Sequence, residues 1–382
     1  MFLHAVREAR GWSLALVSTA VTVHFLVGAG VVANLPGLHR RFGVPAVTKA
    51  GASALALGVT GWALAADPWQ LFAATLLSGA GWVAMGAAAV NAIVAPWFVR
   101  RRPAALAMAY NGASIGGVLF SPLWVAVIGA WGFPMASVVV GGAMIVVVWV
   151  LADRVFAKTP QQLGQVPDGE AAHPAPVIAS AARPLAGTAL SRDRRFLTLS
   201  AGMALGLFAQ IGLIAHLFSL LVPVLGAPLA GVAMGGATAA AIGGRTLVGW
   251  VMPPGADRRL VICVSLGAQI LGSVALLCAQ GDDIPMLLAG VALFGLGIGN
   301  ATSLPPLIAQ VEFAKEEGPR VVALIVALAQ AAYAFAPAAF GVIREQADST
   351  TALFLAAAAI QAVAIVAFLA GRRTPAAPPV QR

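Results

Sequence analysis

Apolar residues fall along this chain in long blocks, with short polar breaks between them. A helix needs about 20 mostly apolar residues to cross a bilayer. Eleven blocks meet or approach that length: 12–36, 47–66, 69–98, 103–130, 134–156, 195–222, 226–252, 260–280, 285–311, 319–343 and 350–371. The expected fold is therefore all-α and polytopic, with about eleven transmembrane helices. Between the fifth and sixth blocks, residues 157–194 hold Pro160, Pro167, Pro174, Pro176 and Pro184 with most of the mid-chain charge. This pattern predicts a solvated linker. It separates an N-terminal bundle at 1–156 from a C-terminal bundle at 195–371, with a tail at 372–382.

The breaks carry positive charge unevenly. Arg40, Arg41 and Lys49 follow the first block, and Arg100, Arg101 and Arg102 follow the third. The linker region carries Arg154, Lys158, Arg183, Arg192, Arg194 and Arg195. Arg258 and Arg259 follow the seventh block, Lys315 and Arg320 the ninth, and Arg372 and Arg373 the eleventh. The alternate breaks hold almost no Lys or Arg, Arg344 being the exception. Positive loops stay in the cytoplasm, so the linker and the C-terminus are expected there. Eleven crossings then put the N-terminus outside, although it carries Arg7 and Arg10.

Composition agrees with a membrane solvent. Of 382 residues, 60% are hydrophobic and 10% are charged, where a soluble domain has about 25% charged. Mean hydropathy is +0.90. The net charge of +9 would otherwise suggest a nucleic-acid partner. Its spread over short loops argues against that, and the expected partners are the bilayer and a small solute. Cys263 and Cys278 share one block; helix between them spans about 22 Å, too far for a disulfide. The first block exceeds the about 7–15 apolar residues of a signal peptide and reads as a retained helix.

A shift of 216 residues superposes the two halves. Gly79 falls on Gly295, Gly81 on Gly297 and Pro103 on Pro319, and Pro122 lands one residue from Pro337. "DPWQLFAATLLSGAG" runs beside "DIPMLLAGVALFGLG", and "PAALAMAYNGA" beside "PRVVALIVALA". The shift sets the first block on the seventh and leaves the sixth without a partner. The first bundle is therefore expected to be one helix short, through deletion, fusion or a mis-set start. Two related bundles joined by a long linker form a transporter layout, with the substrate site between them near the midplane.

These residues resemble the major facilitator superfamily, which has two six-helix bundles. "PWFVRRRPAALAMAYNGASIGGVLFSPL" is similar to the helix 4–5 segment of its bacterial monocarboxylate and oxalate:formate branch, and "GRTLVGWVMPPGADRR" to the helix 8 exit. The resemblance implies a plasma (inner) membrane protein of a bacterium. The family's first cytoplasmic loop reads G-x-x-x-D-R-x-G. Here "PGLHRRFG" keeps Arg41, Phe42 and Gly43 but places Pro36 and Arg40 at the Gly and Asp positions. The helix 4 arginine of many proton-coupled members corresponds to Thr75, and the antiporter Gly-Pro signature is not matched by "GGVLFSPL".

Ionisable groups inside a bilayer are functional candidates by default. No Asp or Glu lies deep in any block, which leaves Arg245, His24 and His216. Arg245 could grip a carboxylate as a planar fork, or snorkel to the interface and pair with Asp257. His24 could couple protons or hydrogen-bond across a helix contact. His216 suits an interfacial role. Asn300, Tyr110, Asn111, Gln330 and Tyr333 are expected beside Arg245 at the substrate site, and Asn91 and Gln210 are further buried polar candidates. Pro305 and Pro306 after Asn300 are expected to break their helix. Gly112 and Gly116 have the spacing of a close helix contact. Arg40, Arg41, Arg100, Arg101, Arg102, Asp257 and Arg258 are expected to orient the chain or gate its cytoplasmic end.

There is no His/Cys metal spacing and no G-x-x-x-x-G-K-[ST] phosphate loop, so no metal, cofactor or ATP drive is expected, nor an enzyme. The expectation is a monomeric secondary or facilitative transporter of a small organic anion, monocarboxylate-like, with or without a coupled ion. A second basic residue for a dianion is missing. The alternatives are an exporter of amphipathic compounds and a truncated, non-transporting membrane protein.

Overall fold

The structure is a computed structural model and describes residues 10–169, 187–253, 255–279, 283–347 and 350–372. Arg7, Arg183 and Arg373, with residues 170–186 of the expected linker and 373–382 of the tail, lie outside the described residues. Every regular element among the described residues is helical. The main helices are α1 Leu14–Phe42, α2 Val44–Leu64, α3 Pro68–Ala84, α4 Ala87–Val94, α5 Arg102–Leu151 and α6 Arg194–Val251. They continue as α7 Arg258–Cys278, α8 Ile284–Glu312, α9 Gly318–Tyr333, α10 Ala336–Gln346 and α11 Thr351–Ala370.

Two of these are pairs of helices joined at a single residue. Gly132 (φ 75, ψ 163) turns α5, and Gly226 (φ 72, ψ 160) turns α6. Side chains are strained at that φ, which is why glycine stands at both turns. Acidic caps fix other helix starts. Asp193 Oδ1 accepts from the Arg195 and Phe196 amides, Asp257 Oδ1 from the Arg259 and Leu260 amides, and Asp283 Oδ1 from the Met286 amide.

Among the described residues, nine helical segments are long and apolar enough to cross a membrane. Helix α2 and the arm of α6 after Gly226 are not among them. Both are diluted by small and polar residues: Thr48, Lys49, Gly51, Ser53, Gly58 and Gly61 in α2, and Gly231, Gly235, Gly236, Thr238, Gly243, Gly244 and Arg245 in α6. Two local expectations are corrected. The first helix runs past residue 36 to Phe42, through Pro36, and leaves only Gly43 between α1 and α2. Its last turn carries His39, Arg40 and Arg41, where cations complement the carbonyl end of the helix dipole. Helix α8 does not break at Pro305 and Pro306 but continues to Glu312. Both prolines are buried among helices, and neighbouring helices hold such a segment helical despite the lost N–H groups.

Helices α1, α2, α3 and α5 pack on one another, and α6, α7, α8 and α11 form a second packed set. The two sets meet where α9 lies along α1 and where α5 crosses α6. The repeated glycines do the same work in each set. A Cβ on Gly79 would lie 3.2 Å from His24 Cα of α1; on Gly295 it would lie 2.7 Å from the Ala237 carbonyl of α6. A Cβ on Gly81 would lie 2.6 Å from the Gly51 carbonyl of α2; on Gly297 it would lie 2.5 Å from Gln269 Cγ of α7. Pro103 and Pro319 also correspond, each in the first turn of its helix, where no N–H is missed. The close contact expected at Gly112 and Gly116 does not form among the described residues: a Cβ on either would have open space.

One ion pair ties four helices. Arg259 is 1% exposed. Its Nε and Nη2 donate to Glu312 Oε1 and Oε2 at 2.6 and 2.8 Å. Its remaining bonds go to Thr198 Oγ1, the Phe368 carbonyl and the Arg195 carbonyl at 3.0–3.1 Å. The starts of α6 and α7 are thereby joined to the ends of α8 and α11.

Two outcomes follow for stability, both read by thermal unfolding in detergent. Glu312→Ala leaves a buried guanidinium unpaired and should cost about 3–5 kcal/mol. Gly81→Val and Gly297→Val should each cost about 1–3 kcal/mol through overpacking, while Gly142→Val, at an exposed position with open space around it, should leave the midpoint in place.

Candidate functional site

The crossing of α5 with the second arm of α6 builds the site. Near the end of the helices that carries the basic breaks, Gly249 lets the backbones approach: a Cβ there would lie 2.8 Å from Ala107 Cβ. One turn further on, Asn111 Nδ2 donates to Thr246 Oγ1 at 2.7 Å. Arg245 follows and is 6% exposed. Its Nε donates to the Gly299 carbonyl at 3.1 Å and its Nη1 to Asn111 Oδ1 at 3.0 Å. Asn111 thus donates with one end and accepts with the other, which fixes its amide orientation. Arg245 Cζ stands 6.0 Å from the Tyr110 ring centroid, at the edge of cation–π range. Tyr110 itself is tied by its hydroxyl to the Ala87 carbonyl at 3.1 Å.

Glycine at 299 gives the guanidinium its place, since a Cβ there would lie 3.0 Å from Arg245 Nε. Asn300 Nδ2 donates to the Gly244 carbonyl at 3.4 Å, and its Oδ1 is buried with no hydrogen-bond partner among the described residues. The structure therefore gathers Arg245, Asn111, Tyr110 and Asn300. Every hydrogen-bond acceptor of Arg245 is neutral, and Nη2 donates to no protein atom among the described residues. Asp257 is not its partner. That carboxylate caps α7 and accepts from Arg372 Nε at 2.7 Å.

The other candidates stand elsewhere. Gln330 Nε2 donates to the Phe25 carbonyl at 3.0 Å, and the Tyr333 ring meets the Phe25 ring edge-on at 5.5 Å. These contacts join α9 to α1. His24 Nδ1 lies 2.9 Å from Ser78 Oγ, which also accepts from Trp62 Nε1, within the contact of α1, α2 and α3. His216 Nε2 lies 3.0 Å from the Pro337 carbonyl. Gln210 joins a buried amide chain, with Gln269 Nε2 donating to Gln210 Oε1 and Gln361 Nε2 to Gln269 Oε1.

At the basic end, Arg102 bridges the two packed sets. It donates to the Phe98 and Ala95 carbonyls and, through Nη1, to Gln310 Oε1 of α8 at 2.9 Å. Gln310 Nε2 in turn donates to Asn91 Oδ1 of α4. Arg258 Nη1 donates to the Leu307 carbonyl at 2.8 Å, one turn from Gln310. Arg40 and Arg41 are exposed, with Arg41 over the Phe42 ring. Val99, Arg100 and Arg101 direct their backbone amides at Asp168, whose carboxylate accepts all three at 2.8–3.2 Å. Asp168 adopts φ 63 to do so, a conformation Asp tolerates. Partial burial works to raise its pKa. The Arg100, Arg101 and Val99 amides and the Arg100 charge outweigh that and hold it below its ordinary 3.8.

Sequence reasoning missed Thr246, Gly299, Gln310 and Asp168, and the Arg259–Glu312 pair. Thr246 and Gly299 carried a weak signal, each lying beside a candidate that had been singled out. Asp168 carried none, because its partners are backbone amides some 70 residues away.

A sequence model of the Major Facilitator Superfamily matches residues 1–311. No curated protein matches the chain in sequence. Among solved structures, a variant of the Escherichia coli fucose:proton symporter FucP is similar with a TM-score of 0.69 and 14% identity, covering 94% of this chain and 91% of that one. The human organic anion transporter MFSD10 (TETRAN) is similar with a TM-score of 0.66 and 15% identity, covering 96% and 88%. At such identities the likeness speaks for the fold.

The carboxylate of Asp168 offers a direct check on the break at residues 98–101. In Asp168→Ala, hydrogen exchange at the Val99, Arg100 and Arg101 amides should accelerate about tenfold, the equivalent of roughly 1.4 kcal/mol. A depressed carboxylate pKa contributes above the unfolded value and is lost only as pH falls through the lower folded one. The wild-type amides should therefore stay protected from neutral pH down to about pH 4.

Proposed function

The chain belongs to the Major Facilitator Superfamily, and on that premise we propose that it carries a small organic anion, monocarboxylate-like, across a membrane by alternating access. Membership of the family indicates membrane transport. The substrate class rests on Arg245. A guanidinium in a water-poor bundle, held only by neutral oxygens, is an unbalanced positive charge. Its unused Nη2 and one edge of the fork suit a carboxylate, which takes two parallel charge-assisted hydrogen bonds. Asn111 holds the fork in place. A monoanion fits better than a dianion, because Asn111, Tyr110 and Asn300, the residues gathered around Arg245, supply no second cation.

In this reading residues 1–156 and 195–371 are the rocking halves of a plasma-membrane protein. The linker 157–194 and the tail 372–382 lie in the cytoplasm with the basic breaks. The Arg102–Gln310–Asn91 chain and the Gly249–Ala107 crossing close the cytoplasmic side. A gradient of the substrate or of an ion drives the cycle. His24, held by Ser78 in a helix contact, is left outside the anion path.

Purified protein in proteoliposomes tests this. Arg245→Ala should lower the apparent affinity for a transported carboxylate roughly 10- to 100-fold, in protein that still unfolds cooperatively. Arg245→Lys should lose less, since it keeps the charge but not the fork. Equal uptake by wild type and Arg245→Ala would remove Arg245 from the path. Competition by cationic dyes in place of acids would instead favour an exporter of amphipathic compounds.

A further inference from the structure

A cavity of about 230 Å³ lies beyond Arg245, on the side away from the basic end. Helix register fixes the relation. Ala241 lies one turn before Arg245 on α6, Ser114 one turn after Asn111 on α5, and Ile298 directly precedes Gly299, whose carbonyl holds Arg245. The cavity therefore sits on the outward side of the Arg245–Asn111–Gly299 cluster. Its wall is Ile214, Leu217, Met234, Ala237, Ala241 and Ile298, with Ser114 and Thr238 as the only hydroxyls. The Thr238 hydroxyl is spent on the Met234 carbonyl of its own helix. No charged residue lines the space.

Resting on the anion reading above, we propose that this cavity receives an unbranched hydrocarbon tail, so that the substrate is a short-chain aliphatic monocarboxylate. The head meets Arg245 and the tail points away from the basic end. The volume falls below the about 300–1,000 Å³ of ordinary ligand pockets, which limits the tail to a few carbons. A second carboxylate would be buried against Ile214, Leu217 and Ile298 without a cation, a costly placement. A hydroxylated chain would find little beyond Ser114. Met234 closes the far end of the α6 stripe and sets the length limit; its flexible side chain suits an adjustable stop.

Equilibrium binding of acetate, butyrate, hexanoate, octanoate and succinate to the purified protein tests the proposal, with the same acids as counterflow substrates in proteoliposomes. Affinity should rise about fourfold per methylene from acetate to butyrate and fall again by octanoate, with succinate at least tenfold weaker than butyrate. Ala241→Val should lower the hexanoate-to-acetate affinity ratio at least fivefold, and Met234→Ala should raise the octanoate-to-butyrate ratio by a similar factor. A flat series with Arg245-dependent acetate binding would overturn the tail site and leave the anion reading intact. Succinate binding as tightly as butyrate would do the same. Binding of no acid in the series in an Arg245-dependent way would overturn the anion reading itself, and the tail site with it.

Discussion

Removing a guanidinium from water is expensive unless its donors and its charge are both met, and two arginines here meet that demand in opposite ways. Arg259 is fully buried and spends its donors on a carboxylate, a hydroxyl and two carbonyls. Charge and hydrogen bonds close together, and the result is a fixed joint between four helix ends. Arg245 is almost as buried, yet among the described residues it touches only neutral acceptors and an aromatic face. Its hydrogen bonds hold it in place without cancelling its charge. The first arrangement suits a structural tie. The second leaves a cation poised for an anion that comes and goes, and the proposed function follows from that difference.

Such a cation can be placed only if helices approach closely enough to supply oxygens from both sides. Glycine does this at each crossing. Gly249 admits Ala107, Gly299 makes room for the guanidinium, and Gly79 and Gly81 repeat in one packed set what Gly295 and Gly297 do in the other. The same substitution of small residues for large apolar ones lowers the hydropathy of α2 and of the second arm of α6. In these two segments Gly51, Gly58, Gly61 and Gly244 are such close approaches, whereas Gly231, Gly235, Gly236 and Gly243 dilute the second arm of α6 with open space around them.

Hydropathy made most of the architecture legible, because a bilayer imposes length and apolarity on every crossing. The glycine and proline matches at a shift of 216 were legible for the same reason: close crossings and first-turn prolines recur where helices repeat. What stayed hidden depends on who faces whom. The α1–α2 break was read as a loop, but it is one residue, since cations at a helix end can remain helical and reach solvent with their long stems. Pro305 and Pro306 read as a break, but α8 stays helical through them, packed among other helices. Arg258 and Arg259 looked alike in a basic run, yet Arg259 turns inward to Glu312 and Arg258 to a backbone carbonyl. At the site, the residue types Arg245, Asn111, Tyr110 and Asn300 were legible as polar groups in apolar blocks. The assignment of Gln330 and Tyr333 to the same cluster was not, because their contacts run to α1 instead.

Among the described residues, the bonds that join the two packed sets share one chemical property: none is an ion pair. Arg102 meets the amide of Gln310, Gln310 meets Asn91, Asn111 meets Thr246 and Arg245, and Gln330 meets a backbone carbonyl. A neutral hydrogen bond contributes about 0.5–1.5 kcal/mol net, and one to a charged group about 1.5–3. Breaking such bonds between the sets is within reach of thermal motion and of the differential affinity of a small ligand. A ligand can shift a two-state equilibrium only by the amount it prefers one state. The family's acidic position in the first cytoplasmic loop is Arg40 here, and that residue is exposed. In the proposed cycle the contact between halves is therefore weak in charge and strong in number. Arg102 and Arg245 are the cations among these bonds, and Arg245, which binds both halves at once through Asn111 and Gly299, is the one beside the proposed anion path. An anion on the free edge of that fork would share the Arg245 charge with Asn111 and so weaken the bond across the crossing, coupling occupancy to motion at the place where the substrate binds.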